Sequence, residues 1–276
     1  MSYNTESLLS MIEVRASIPL NQSTFSEEEI LAVADDIIKE MIMPDILKAR
    51  QELNVYYDDI VPTKRTSDNY SWVRVPKRAI GNSIIEVTDT DDEALHQSAY
   101  WIEGNKIFFD PDISDPVRVK YHMRPGNLVL IRAIGNINAI DRVTGNVVVA
   151  ATPDSFTTGL KYDLVKADGG FELLAKDVSI PTIVGTTLTF AVGDIPEDLE
   201  VGDYVCLSEQ SPVPQIPVEW FPYLAQHTAA SLLNSLGDYD AAKKVESRLG
   251  TMRDNALSLI SPRVAKKSKP IIPTCY

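Results

Sequence analysis

The sequence predicts an α+β fold: an α-helical bundle formed by N- and C-terminal helices, a small antiparallel β-sheet, and an inserted all-β module of sandwich- or barrel-like type. Three observations lead there. Apolar residues recur at helical spacing near both ends of the chain, in "FSEEEILAVADDIIKEMIM" and in "VEWFPYLAQHTAASLLNSLG". Between these stretches, β-branched and aromatic runs are separated by glycine and asparagine turns. A proline-rich passage, "SPVPQIPVEWFP", marks the return from strands to helices. The chain therefore divides into residues 1–131, N-terminal helices and small β-sheet of the core; 132–214, an inserted acidic β module; 215–262, a C-terminal helix pair completing the bundle; and 263–276, an extended basic arm.

The first helix is expected over "TESLLSMIEVR", ended by "SIP". In the second, Ser26 stands as N-cap and Glu29 completes a capping box, with Phe25 and Ile30 placed as a hydrophobic staple. Glu27, Glu28 and Glu29 suit the positive end of the helix dipole. Ile30, Val33, Ala34, Ile37 and Met41 form its apolar face. Pro44 has no N–H to donate, so the helix should kink or restart there and continue through "DILKARQEL".

From about Tyr70 the period changes. "YSWVRVP", "IIEVT", "YWIEGNKIFFDP" and "PVRVKYHM" read as strands of one small antiparallel sheet, with a Gly-Asn hairpin turn inside "WIEGNKIFF". Residues 132–214 contain "INAIDRVTGNVVVA", "YDLVKADGGFELLA", "IVGTTLTFAV" and "LEVGDYVCLS", strands at the spacing of a sandwich or barrel. This module holds twelve acidic residues and few basic ones. The helices that follow place Phe221, Ala225, Ala229, Leu232 and Leu236 on one face. Gly237 is expected as the C′ residue of that helix and Asp238 as the N-cap of the next. In the next, Val245, Leu249, Met252, Ala256 and Leu259 alternate by four and three, the spacing of a bundle seam.

The chain has 276 residues, 44% of them apolar, enough to bury a sizeable core. Its formal net charge of −13 disfavours tight binding to nucleic-acid phosphates over the general surface, though an acidic lining suits a channel through which DNA slides. Cys206 and Cys275 offer neither a disulfide framework nor a zinc spacing. The opening "MSYNTESLLSMIEVR" lacks the basic leader and apolar run of a signal peptide. No stretch approaches the ~20 apolar residues of a membrane span, so no membrane partner is expected.

No constellation argues for catalysis, a cofactor or a metal. His96, His122 and His227 lie in separate segments without a metal-binding spacing. Asp89, Asp91, Asp92 and Glu93 form an acidic loop that departs from an EF-hand and reads as solvated. Asp110 and Asp112, each followed or preceded by proline or a turn residue, read as turn aspartates rather than a glycosidase pair. Trp72, Trp101 and Trp220, with Tyr100, Phe108, Phe109 and Tyr121, are read mainly as core, with a stacking platform as the alternative. In the last segment, Lys266, Lys267, Lys269, Pro270, Ile271, Ile272, Pro273 and Tyr276 combine charge, apolar anchors and stiffness. The favoured reading is an arm that docks on a partner protein; contact with nucleic acid or a solubilising terminus are the alternatives.

"YWIEGNKIFFDPDISDPVRVKYHMRPGNLV" resembles a pattern in the head-to-tail adaptor proteins of tailed bacteriophages, carried here by Trp101, Gly104, Pro111, Tyr121, Arg124 and Pro125. "SPVPQIPVEWFPYLAQHTAASLLNSLGDYDAA" is similar to that family's proline-led helix pair, with Gly237 and Asp238 at the break, and the helix capped by Ser26 to its N-terminal helix. The resemblance covers most of the chain outside the β module, which is larger than in compact members. It implies a non-enzymatic virion protein of the capsid neck, assembled in the host cytoplasm. Such a protein forms a ring, a dodecamer by the family's pattern, between the portal protein and the tail or nozzle proteins, around the passing DNA. It also implies that "VAKKSKPIIPTCY" is the portal-docking arm. Two other readings compete: a carbohydrate- or receptor-binding baseplate or tail component that uses the β insertion, and a hydrolase built on Asp110.

Overall fold

The structure, a computed structural model, describes residues 3–17, 24–64, 70–91, 93–96, 99–110, 113–167 and 173–261. It is a mixed α+β protein, with helices toward both ends and antiparallel sheets between them.

Helix α1 (Thr5–Ala16) is capped by Asn4, whose side chain accepts from the Ser7 N–H, and stops at Ser17 in the left-handed region. Helix α2 (Glu27–Ile37) has the full capping box: Ser26 Oγ accepts from the Glu29 N–H at 3.2 Å, and the Glu29 carboxylate accepts from the Ser26 N–H at 2.7 Å. Pro44 does not interrupt the helical path. A π turn over Ile38–Ile42 leads directly into α3 (Met43–Ala49), and the Met43 N–H reaches back to the Ile38 carbonyl. The wider turn accommodates the proline ring and its missing donor while the backbone stays helical. Helix α3 then ends before the expected "RQEL", because the chain turns over residues 51–54 and Asn54 takes φ +58° to enter a strand.

That strand, β1 (Val55–Ile60), lies between the expected end of the helix at Leu53 and the first strand expected near Tyr70. It is followed by β2 (Thr63–Lys64), β3 (Ser71–Arg74), β4 (Ala79–Thr88), β5 (Tyr100–Glu103), β6 (Lys106–Phe109) and β7 (Val117–Met123). Instead of one small sheet there are two, ordered β1-β7-β4 and β2-β3-β6-β5. Gly104 at φ +61° makes the two-residue hairpin turn between β5 and β6, where Glu103 pairs with Lys106. The two sheets share a core that includes Val73, Val87, Ile107, Phe109, Val117 and Val119.

A short strand, β8 (Asn127–Leu128), precedes β9 (Gly135–Asp141), β10 (Asn146–Val149), β11 (Lys161–Val165), β12 (Leu173–Ser179), β13 (Thr182–Val184), β14 (Thr187–Thr189) and β15 (Tyr204–Leu207). These last seven form one antiparallel sheet, ordered β12-β11-β15-β9-β10-β14-β13, with a core of its own that includes Ile137, Val147, Tyr162, Leu164 and Leu188. The next strand, β16 (Gln210–Ser211), pairs in parallel with β8. Thr5 joins both connections to α1: its N–H donates to the Pro212 carbonyl at 2.8 Å and its hydroxyl to the Val129 carbonyl at 2.9 Å.

The chain closes with α4 (Phe221–Ser235), α5 (Tyr239–Glu246) and α6 (Leu249–Ile260). Helix α4 packs against α1, α2, α5 and α6. One apolar cluster accordingly unites Leu8, Ile12 and Leu31 with Trp220, Leu224 and Ile260, residues from opposite ends of the described chain. Gly237 at φ +79° follows α4, and the Asp238 carboxylate accepts from the Ala241 N–H at 3.1 Å to cap α5. The single helix expected beyond Asp238 is two, separated by a turn at Ser247 and Arg248. Past the turn Leu249, Met252 and Ala256 keep to the seam, but the next step is four residues and not three, so Leu259 is 53% exposed and Ile260 is buried in its place. Leu236, expected on the buried face of α4, lies past the last helical turn and is exposed.

Candidate functional site

The polar centre of the molecule lies where the seven-stranded sheet meets the rest. Arg78, in the turn between β3 and β4, is 7% exposed and reaches Asp163 of β11, itself 3% exposed, at 2.8 Å. Arg78 Nη2 also donates to Ser208 Oγ at 2.7 Å. Asp163 accepts two further bonds, from the backbone N–H groups of Asp177 and Glu209, both at 3.0 Å. Those two donors are non-glycine residues held at φ +54° and +67°. Left-handed backbone costs such residues free energy, and here it aims both N–H groups at one carboxylate. Asp177 can adopt it because the β11–β12 register shifts at this point. Burial pushes the Asp163 carboxyl up, while Arg78 and the two N–H donors pull it back.

A second tie lies one strand away. Lys176 of β12 pairs with Asp58 of β1 and donates to the Tyr57 carbonyl at 2.8 Å and to the Tyr121 hydroxyl at 2.7 Å. Burial and the neighbouring Asp58 carboxylate raise the Tyr121 phenol above its ordinary value. Beneath both ties Tyr121 and Met123 pack with Val165, Leu173, Tyr204 and Cys206. Cys206 is fully buried and its thiol is pushed well above its usual range, so it serves as packing.

Beside this junction opens a cleft of about 540 Å³. Its apolar floor is Met43, Pro44, Leu47, Ile80 and Pro125. Around that floor stand Lys39 from the π turn, Lys77 and Arg78 from the β3–β4 turn, and Arg124 from the end of β7, against one carboxylate, Glu209. The Arg124 N–H donates to the Arg78 carbonyl at 2.7 Å, which holds the two basic turns side by side. Lys77 pairs with Glu209 at 2.9 Å on the surface, and Lys39 donates to Asn127 at 2.6 Å. Arg124 is exposed and has no carboxylate partner among the described residues. In a chain of net charge −13, this is a concave cationic site with an apolar base, suited to an anionic group that carries an apolar anchor. The sequence pattern does not reveal it. The available signal is two proline-flanked basic turns, "VPKRAI" and "HMRPG", and nothing local shows that they meet.

The arm residues Lys266, Lys267, Lys269, Pro270, Ile271, Ile272, Pro273 and Tyr276 lie outside the described residues, as do Asp92, Pro111, Asp112 and Cys275. The arm is joined to α6, whose Ile260 carbonyl accepts from Arg50 at 3.1 Å. Asp89 accepts from the N–H groups of Asp91 and Glu93 at 2.9 and 2.8 Å, which makes that acidic loop a hydrogen-bonded turn. The three histidines remain apart. His122 Nδ1 meets Ser83 Oγ at 3.0 Å and its Nε2 meets the Gln51 carbonyl at 2.8 Å; neither His122 nor Ser83 lines the cleft. His227 stacks on Tyr223, and burial lowers its pKa. Among the described residues no group of histidine, cysteine, aspartate and glutamate side chains could hold a metal ion, and no helix is long and apolar enough to cross a membrane.

The aromatics divide. Trp220, Phe109 and Tyr121 are buried as expected. Trp72 and Trp101 instead flank Phe108 across β3, β6 and β5, in direct register on one face. Trp101 stacks on Phe108 at 5.3 Å, is met edge-on by Tyr70, and remains 39% exposed. Lys106 covers the Trp72 ring at 3.9 Å.

No protein-family model matches the chain, and no curated protein matches it.

Proposed function

We propose that this chain is a structural virion protein, a head-to-tail adaptor that forms a ring between the portal and the tail and surrounds the DNA channel at the capsid neck. The observation that carries the reading is the single apolar core shared by both chain ends, Leu8 and Ile12 against Trp220 and Leu224. On this reading the helices are one bundle, and residues 132–214 are an insertion whose entry and exit are the paired strands β8 and β16. A ring subunit needs a stiff body with two different flanks, because heterologous contacts close only if every copy repeats the same angle. The two polar ties at Arg78 and Lys176 supply that stiffness at the β module. The basic arm, residues 263–276, is the portal-docking element, and the chain acts without a cofactor.

The test is to mix the protein with its portal and image the product. A ring seated on one side of the portal supports the reading. Deletion of residues 263–276 is expected to abolish attachment while the fold persists; unchanged assembly by the truncated protein removes the arm from the proposal.

A second reading, a carbohydrate- or receptor-binding tail component, gains from the Trp72–Phe108–Trp101 row, since stacked, partly exposed rings suit sugar faces. That row lies on the small sheet, not on the β insertion where the sequence pattern places the recognition surface. A glycan array probed with the wild type and with Trp101→Ala decides it: signal lost in the variant favours this reading over the adaptor.

A further inference from the structure

We propose that the cationic cleft receives the acidic loop of residues 191–202 from a second copy of this chain. The loop joins β14 to β15 and exposes Asp194, Glu197, Asp198 and Glu200. Among the described residues, Glu200 is the one of these four whose carboxylate is paired, with Lys166 at 3.4 Å; Lys166 also donates to the Asp198 carbonyl at 3.1 Å. The same loop exposes Val192 and Val201, at 77% and 65%, while Ile195 and Leu199 hold its base in the module core. It is also anchored from below, because Arg142 donates to the Pro196, Glu197 and Leu199 carbonyls. The loop is therefore an anchored segment that exposes four carboxylates between two exposed valines.

The cleft has the opposite character: cations around an apolar floor, with Arg124 free of any carboxylate among the described residues and Lys77 exposed. The two surfaces are opposite in charge and both expose apolar groups, and charge complementarity steers and registers protein interfaces. Within one molecule β15 holds them apart. Strand β15 runs from the loop at Tyr204 toward Glu209 at the cleft, so they lie at opposite ends of a strand about 13 Å long. One copy's loop in the next copy's cleft is a heterologous contact, which generates a ring when the rotation closes and a filament when it does not. The proposal rests on the ring reading for that closure and deepens it by naming the surfaces that touch.

The experiment measures self-association of the full chain by sedimentation velocity over a concentration series at low ionic strength. A cleft reversal, Lys77→Glu with Arg124→Glu, and a loop reversal, Glu197→Lys with Asp198→Lys, are each expected to weaken association at least about tenfold. All four substitutions in one chain are expected to restore it. Added salt weakens the wild-type contact. All positions changed are exposed, and a thermal melt checks that each variant folds. Association that is absent in the wild type, or unmoved by either reversal, overturns the contact. So does a cleft reversal that blocks portal or tail attachment while self-association is unchanged, because the cleft then serves another partner's acidic segment. Imaging the cleft-reversed protein on the portal separates the two claims: a normal ring there leaves the adaptor reading standing and the contact refuted.

Discussion

The helical body and the junction at the seven-stranded sheet both bury contacts between distant parts of the chain, and they differ in what lies at the centre. In the body, Leu8, Ile12 and Leu31 meet Trp220, Leu224 and Ile260 in an apolar core, and the directional contacts lie around it, Arg253 on Asp45 and Arg50 on the Ile260 carbonyl. At the junction, a buried guanidinium and two backbone donors in strained conformations converge on the buried Asp163 carboxylate, and Lys176 gathers a carboxylate, a carbonyl and a phenol. Apolar burial is strong but non-directional, so in the body the angle between helices is left to packing and to contacts at the rim such as Arg253 on Asp45. Buried ion pairs contribute little net stability against an apolar alternative, yet leaving one half unpaired is costly. The junction therefore rejects orientations other than the one observed.

Four variants break or sharpen this contrast, from the largest expected effect to the smallest. Arg78→Met leaves Asp163 buried without its cation and is expected to cost about 3–5 kcal/mol in denaturant unfolding. Hydrogen exchange should show the loss first in β11 and β12. Adding Asp163→Asn should recover part of it, because the amide removes the unpaired charge and its oxygen still accepts from the Asp177 or the Glu209 N–H, and a single-variant cost below about 1 kcal/mol would mean the junction is held apolarly after all. Leu224→Ala, in the body, is expected to cost about 2–5 kcal/mol through the cavity it leaves. Protection in the seven-stranded sheet should persist; equal loss there would show that body and module unfold as one unit.

The third variant concerns the buried carboxylate on the inner face of α2. Asp35 accepts from the Leu128 N–H at 2.9 Å, and burial raises its pKa from 3.8 to about 6, with Lys39 opposing. An acid whose folded pKa is raised binds its proton more tightly when folded. Its favourable contribution is full below about 3.8 and is lost as pH rises through about 6, a difference of roughly 3 kcal/mol. Wild-type stability minus that of Asp35→Asn should fall across this window; parallel curves would show that Asp35 does not titrate there. Ser26→Ala, which removes half of an exposed capping box, should cost only ~1 kcal/mol, measured by thermal melt.

How much of the fold is legible in the sequence depends on the range of each interaction. The capping box at Ser26 and Glu29, the Gly104 hairpin, the Gly237 stop and the Asp238 cap are settled by residues within four positions of one another, and the sequence alone determined them. The alternation of the strands placed the β regions for the same reason. The π turn before Pro44, the break at Ser247 and Arg248, the burial of Ile260 in place of Leu259, and the separation of one expected sheet into two depended on what each segment packs against. Trp72 and Trp101, read mainly as core, became a partly exposed row only when β6 paired with β3 on one side and β5 on the other. The cationic cleft needed Lys39, Lys77 and Arg124 from three separated segments, and Arg78 became a buried anchor only when Asp163, eighty-five residues away, came to meet it. Local backbone chemistry acts over one turn of chain and can be read in order along it. Charge complementarity and burial act through space, and only the tertiary structure decides which residues share that space.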